Sequence, residues 1–406
     1  NGEIYNSVEL VKDLAWHGVV VDGSSDTAIV AGLLDVYGLS AVDRLNGMYA
    51  LAWDDGERGC LARAPAGLKP LYYRDRAFAS EIRPLLPEGG ARPCDSAISR
   101  WLSFHVAYGE ETFFEGVRRV PPGGILDLGS GRLLRAADAA LTFTSPNPAL
   151  TPERIGRVLE RAVKSASPNE RYGVALSGGI DSTLVAALGE GERVAYHGRV
   201  DADGCDESPY ARAAAAELGV DLIEVPIEPE AALAALPGVV LHLEEPVAGP
   251  GAVAQWLVAQ RASDDVRILM SGCGGDELFG GYARAAAMRF DRPPAGLEDY
   301  QPLFDRVRGL DDPARRAFAL LDRRPGHLFA AEFVQAHPAP TDEFRELFFA
   351  HGPAGAARAE IGIILPALLQ VEDRVAMAFS VESRVPLLDR RLLRVAARLE
   401  DEGRVD

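Results

Sequence analysis

The run LSGGIDSTLV, residues 176–185, places two serine hydroxyls, two glycines and a carboxylate within the six positions 177–182. It follows a short apolar run, Val174, Ala175 and Leu176, that reads as the end of a buried strand, and it opens a helix. A helix N-terminus presents unpaired backbone N–H groups and the positive end of the helix dipole, so it attracts anions. Glycine at Gly178 and Gly179 lets a backbone approach a phosphate closely. Ser177 and Ser182 can donate to phosphate oxygens, and Asp181 can hold a Mg2+ ion that bridges them. No Gly-Lys-Ser/Thr follows, so this is not the Walker pattern. Taken alone, the stretch also fits a plain strand–turn–helix connection capped by Ser or Asp. A second stretch, RILMSGCGGDELFGGY (267–282), repeats the arrangement: apolar run, Ser271-Gly272, two more glycines, then Asp276. In an open parallel sheet, ligands gather at the carboxyl ends of the strands. Two such loops can face one polyphosphate, with Ser271 and Gly272 beside it and Asp181 and Asp276 as a pair of Mg2+ ligands.

The surrounding pattern supplies strands to carry these loops. Strands expected at 173–176, 194–198, 221–226 and 266–270 alternate with helical segments, the rhythm of a parallel sheet with helices on both faces. Before them, residues 7–17 and 27–37 have helical spacing, whereas 47–55, 59–64, 70–74 and 77–81 read as short strands and 117–134 as a closing hairpin. The Pro/Ser/Thr-rich run 142–153 reads as an interdomain linker ending in a helix start. Residues 293–358 are helical and Arg-rich without a chemical signature, and 361–399 form a last helical region.

Composition narrows the function classes. A chain of 406 residues suffices for two or three domains. A formal net charge of -18 argues against a nucleic-acid surface, which needs a basic patch. Cys60, Cys94, Cys205 and Cys273 form no CxxC pair, which fits a reducing compartment. No apolar run approaches the ~18 residues of a membrane span, and no signal peptide opens the chain. A cytoplasmic location is expected, with no membrane partner; a homodimer stays open. Only Lys12, Lys69 and Lys164 are lysines, a bias that reads as genomic.

In sum of motifs, the chain resembles the asparagine-synthetase family of ATP-dependent amide-forming enzymes, whose relatives include the β-lactam synthetases. LSGGIDST resembles its pyrophosphate loop, SGCGGDELFGGY its second nucleotide-side loop, and DRVAMAFSVESRVPLLDRRLL (373–393) the segment lining its synthetase site. NGEIYN (1–6), SSDTAIV (24–30), RLNGMYALAWDD (44–55) and GLKPLYY (67–73) resemble its glutaminase domain. The resemblance covers nearly the whole chain apart from 293–358. It implies an α/β protein: an N-terminal, Ntn-type α-β-β-α glutaminase-like sandwich over 1–145, then over 150–406 a parallel-sheet PP-loop synthetase domain with extra helices. It further implies ATP and Mg2+ as cofactors, with glutamine and a carboxylate as substrates. Leu176 would lie by the adenine, and Ser177, Gly178, Gly179, Asp181 and Ser182 would cradle the pyrophosphate. Asn1 and Gly2 would stabilise an oxyanion, and Glu3 and Asp26 would bind the glutamine amino group.

Three departures qualify the resemblance. The chain opens at a motif that lies well inside the family's glutaminase domain, so a preceding part with the cysteine nucleophile is expected; a degenerate domain is the alternative, to which Ala64 and Pro65, where the family carries Asp-Arg, lend some support. Cys273 stands where glutamine-dependent relatives carry glutamate and β-lactam-forming ones tyrosine, which points either to a different acyl substrate or to a small buried residue. No lysine follows Lys164, so either a C-terminal tail carries the family's phosphate-neutralising lysine or an arginine takes that role. Glu382 and Arg384 are candidates beside the reacting carboxylate, and Arg374 is a bidentate fork for a substrate carboxylate; an ion-pair network is the alternative for each. The reading that results is adenylation of a specialised-metabolite carboxylate followed by transfer of glutamine-derived ammonia. An intramolecular cyclase of the β-lactam or lasso-peptide type, with an inactive N-terminal domain, is the rival within the superfamily, and a nucleotide-binding scaffold the rival outside catalysis.

Overall fold

The computed structural model describes residues 1–21, 25–106, 108–135, 147, 150–202, 206–247, 249–324, 330–349 and 355–399. Most of the expected linker 142–153, as well as Ser24 and Cys205, lies outside the described residues.

The first part is layered. One sheet is antiparallel in the order β1 (Gly2–Ile4), β2 (Gly47–Asp54), β3 (Gly59–Arg63), β7 (Ile125–Asp127), β8 (Arg132–Arg135). A second has β4 (Tyr72–Arg74) between β5 (Ala77–Ala79) and β6 (Arg118–Arg119). Strand alternation explains the layers. Tyr49, Leu51 and Trp53 of β2 face the helices Ser7–Trp16 and Asp26–Tyr37, where Leu14, Ile29 and Leu33 are fully buried. Each such side chain contributes about 1.5–3 kcal/mol of burial. On the opposite side, Ala50, Leu61 and Leu126 meet Leu71, Tyr73 and Val120 of the second sheet region. The Asp26–Tyr37 helix starts where Ser25 Oγ accepts the Ala28 N–H at 3.4 Å, an N-cap.

The second part is a five-stranded parallel sheet. Its strands are β9 (Tyr172–Ala175), β10 (Arg193–Arg199), β11 (Leu222–Pro226), β12 (Ile268–Met270) and β13 (Glu382–Arg384). Their order is β11-β10-β9-β12-β13, and all four pairings are parallel. The chain runs outward from β9 to β11 and then returns to β12 on the other side of β9. The order therefore reverses between β9 and β12, which opens a crevice at their carboxyl ends.

β13 corrects the expectation of helix throughout 361–399. Ser380 adopts φ 57, which ends the helix Leu365–Met377 region, and Val381 and Ser383 are then fully buried as the strand joins β12. Three residues carry too little periodicity to announce a strand.

Buried groups join the two parts. Met48 and Leu68 pack with Leu278, Leu365 and Leu388. Asn46 Nδ2 donates to Asp389 Oδ2 at 2.7 Å, and the Arg390 N–H donates to Asn46 Oδ1 at 3.0 Å. Lys69 Nζ lies 2.8 Å from Asp373 Oδ1, with both side chains buried. Among the described residues no helix is long and apolar enough to cross a membrane.

Candidate active site

Both glycine-rich loops leave the sheet at the crevice. After β9 the chain turns through Gly178, at φ 85, and enters the nine-residue helix Ile180–Leu188 at Gly179. A Cβ on Gly178 would sit 2.4 Å from the Tyr210 carbonyl carbon, so only glycine fits this turn. Hydroxyls hold the loop: Ser182 Oγ accepts the Ser177 N–H at 3.2 Å and donates to the Gly179 carbonyl at 3.2 Å, while Ser177 Oγ accepts the Gly179 N–H at 3.2 Å.

The second loop lies directly against the first. A Cβ on Gly272 would come within 2.6 Å of the Ser182 nitrogen and 2.7 Å of the Asp181 carbonyl carbon. Gly272→Ala is therefore expected to force the loops apart, costing about 1–3 kcal/mol of stability and most of the nucleotide affinity; thermal melts and nucleotide titration check it. Asp181 turns its carboxylate over Gly275, where a Cβ would lie 2.1 Å from its Oδ2. Its pKa is pushed up to about 6, first by burial and then by the charges of Asp276 and Glu277. Burial also raises Asp276, with Arg284 opposing. Burial raises Glu277, whose carboxylate accepts the Tyr282 hydroxyl.

The loops floor a cavity of about 780 Å3. Leu176, Ser177, Gly179, Asp181, Ser182, Ser271, Gly272, Cys273 and Asp276 line it, which brings together nearly all the residues singled out from the two motifs. Gly178 shapes the turn instead and packs against Tyr210 and Ala211. Tyr196, His197 and Gly198 of β10 also line it, next to the helix Gly251–Ala262, whose Val258 packs on β10. Gln255 of that helix and Leu368, Glu372 and Val375 of the helix Leu365–Met377 complete the wall. Cys273 lines the same cavity, where burial and then Glu372 and the other nearby carboxylates push its thiol well up.

Three candidates are placed elsewhere. Arg384 lies 3.2 Å from Glu3 Oε1 and 2.7 Å from Glu382 Oε1, and donates to the Ala166 carbonyl at 2.9 Å. Arg374 donates to the His242 carbonyl at 2.7 Å and to Glu244 Oε2 at 2.9 Å. Neither arginine, nor Glu382, lines the cavity. Arg374 also lies 3.3 Å from Glu81 Oε1, so each arginine has an acidic contact in both parts.

Asn1, Gly2 and Asp26 line a second cavity, of about 580 Å3, between the Asp26–Tyr37 helix and the sheets. Asp26 Oδ2 there accepts the Ile4 N–H at 2.8 Å. Glu3 stands outside its lining and is raised by burial, with Arg384 opposing. None of Cys60, Cys94 and Cys273 lines this cavity.

Sequence reasoning missed His197 and Gln255, and took Glu372 only as one of the charged residues of the 370–386 segment, an ion-pair network or substrate contact. His197 is buried; its Nδ1 hydrogen-bonds the Leu176 carbonyl at 3.0 Å and Nε2 the Ser208 hydroxyl at 3.2 Å, fixing the mouth of the first loop. Since a carbonyl only accepts, Nδ1 carries the proton. The signal for Glu372 was its spacing: Leu368, Glu372, Val375 and Ala376 fall on one helical face.

Comparison with known proteins gives this geometry its context. Residues 154–406 match the asparagine synthase family, and residues 1–136 match a glutamine amidotransferase domain. The chain belongs to the asparagine synthase family. It is 28% identical to asparagine synthetase [glutamine-hydrolyzing] 1 of Bacillus subtilis (strain 168) over 450 residues, covering 99% of this chain and 70% of that protein. Identity is 32% over 447 residues to the asparagine-synthetase relative of Mycobacterium tuberculosis (strain CDC 1551 / Oshkosh), covering 98% and 68%. It is 28% over 350 residues to amidase chyE of Penicillium rubens, covering 78% and 52%. The protein is thus an asparagine-synthetase-like, ATP-dependent carbon–nitrogen ligase, with an amidotransferase-like part followed by a PP-loop-like parallel sheet.

Proposed function

We propose that this asparagine synthase family member adenylates the carboxylate of a specialised metabolite and transfers glutamine-derived ammonia to it. The carboxylate oxygen attacks the α-phosphorus of ATP, the bond to the pyrophosphate oxygen breaks, and acyl-AMP forms. Ammonia then adds to the acyl carbon and AMP leaves. A free carboxylate is a poor electrophile, and adenylation supplies its leaving group. Leu176 lies beside the adenine, the Ser177 and Ser182 hydroxyls and the Gly178–Gly179 turn bind the pyrophosphate, and Ser271 and Gly272 close the opposite side.

Asp181 and Asp276 fit a Mg2+ ion, because Asp181 is a half-buried carboxylate among like charges and a hard cation prefers oxygen ligands. Among the described residues no group of three or more His, Cys, Asp or Glu could hold a metal by itself, which suits an ion shared with phosphate oxygens. When bound, Mg2+ supplies charge neutralisation on those oxygens. In the N-terminal part, an Ntn-type α-β-β-α sandwich, Asn1 and Gly2 serve the oxyanion while Glu3 and Asp26 bind the glutamine ammonium.

The observation that carries this reading is the packing of the two loops on each other, with Gly272 against the backbone of Asp181 and Ser182 and the Asp181 carboxylate over Gly275, which makes them one site. Product analysis tests it: carboxylate-dependent turnover is expected to give AMP and pyrophosphate, and ADP with phosphate would refute it. Glutamine-dependent release of glutamate separates ammonia transfer from the rival intramolecular cyclase.

A further inference from the structure

Glu372 is a buried carboxylate in the cavity wall that the adenylation chemistry does not use. Its neighbours are hydroxyls: Ser383 Oγ donates to Oε1 at 2.5 Å, and the Ser271 side chain lies nearby in the same cavity wall. No lysine or arginine lines the cavity among the described residues. A buried carboxylate without a counter-charge is costly unless a cation arrives to pair with it. A second group on the same wall points the same way. Gln255 Oε1, on the facing helix Gly251–Ala262, is buried without any hydrogen-bond partner and seeks a donor. Glu372 lies next to Cys273, whose neutral thiol offers no charge of either sign. The two packed helices therefore offer the cavity two acceptors, apolar walls at Leu368 and Val375, and, among the described residues, no lysine or arginine to neutralise a second substrate carboxylate.

We infer that Glu372, assisted by Gln255, is a specificity-determining residue that receives a protonated amine or guanidinium of the acyl substrate, so that the substrate is a cationic monocarboxylate and not a dicarboxylate such as aspartate. The inference rests on the adenylation reading. The substrate's single carboxylate is the one activated at the α-phosphate. Its cationic nitrogen pairs with Glu372 and donates to Gln255. A dicarboxylate places an unpaired charge in a wall that is already acidic, which selects against it by repulsion.

The test is ATP–pyrophosphate exchange with a matched panel: arginine, lysine, β-alanine and γ-aminobutyrate as cationic monocarboxylates, butyrate as a neutral one, and aspartate and succinate as dicarboxylates. At least one cationic acid is expected to exceed butyrate, aspartate and succinate by tenfold or more in kcat/KM. Glu372→Gln is expected to erase that preference by raising KM for the cationic acid at least tenfold, with KM for ATP within twofold of the parent. Gln255→Leu is expected to act in the same direction but less strongly. Aspartate or succinate outperforming every cationic acid would overturn the inference and leave adenylation standing, as would an unchanged preference in Glu372→Gln. Absence of exchange with every acid would overturn the adenylation reading and this inference with it. A Glu372→Gln protein that loses ATP and acid affinity equally would assign the residue to loop support through Ser271, and also overturn it.

Discussion

Asp181→Asn is expected to lower carboxylate-dependent pyrophosphate exchange by about 100-fold or more, in line with losing an ion ligand where charge develops, and yet to stabilise the metal-free protein. Both effects have one origin. The Asp181 carboxylate is half-buried beside Asp276 and Glu277, which makes it a good cation ligand and a poor anion when no cation is present. Its folded pKa of about 6 exceeds the ordinary 3.8, so the folded state holds this proton more tightly than the unfolded chain. Stability of the metal-free protein thus falls as pH rises from about 4 through 6, and the deficit persists above that. Asparagine removes the deficit. Thermal melts in EDTA at pH 5 and pH 8 check the sign: the variant should gain on the parent by about 2 °C at the higher pH, with a smaller gain at the lower. A variant less stable than the parent at pH 8 would show that the carboxylate is compensated by a group other than an added cation.

Lys69→Met is expected to be among the most destabilising single changes in the chain, by about 3–5 kcal/mol. Lys69 and Asp373 are 2% and 4% exposed and 2.8 Å apart across the junction, so removing the ammonium leaves a buried carboxylate without its contact partner. The double variant Lys69→Met/Asp373→Leu should recover most of that loss, since replacing both partners by apolar groups removes the uncompensated charge. Function should not recover in parallel. Asp373 sits between Glu372, which faces the cavity, and Arg374, which donates to Glu244 and the His242 carbonyl. With Asp373 paired to Lys69 and Arg374 also 3.3 Å from Glu81 Oε1, two of three consecutive helix residues grip the N-terminal part while the third lines the synthetase cavity, and KM for the acyl substrate should stay raised in the double variant while its melting temperature returns. Denaturant titrations and exchange kinetics on the same three proteins separate the two outcomes.

The strands of the parallel sheet were legible because each is a short apolar run bounded by glycine or charge. The expected 173–176 and 194–198 became Tyr172–Ala175 and Arg193–Arg199, shifts of a residue or so at the ends. The two loops were legible for a chemical reason, since Ser-Gly, glycine and acid after an apolar run have few structural uses in combination. What stayed hidden depends on contacts distant in sequence. β13 is three residues long and exists because β12 offers it an edge. Arg374 and Arg384 have the chemistry of substrate forks, and only packing shows that Glu244, Glu3, Glu382 and backbone carbonyls already occupy them. Glu372 and Gln255 are ordinary helix residues in the sequence and become notable because their two helices face one cavity.

The account's central claim is that the loops after β9 and β12 form one metal-pyrophosphate cradle. A crystal structure of the protein with a non-hydrolysable ATP analogue and Mn2+ in place of Mg2+, with the metal located by anomalous scattering, tests it most directly. The account predicts the metal in contact with Asp181 and Asp276 and the pyrophosphate moiety between the 177–182 turn and Ser271–Gly272. Nucleotide bound elsewhere, or a metal touching neither aspartate, would contradict it.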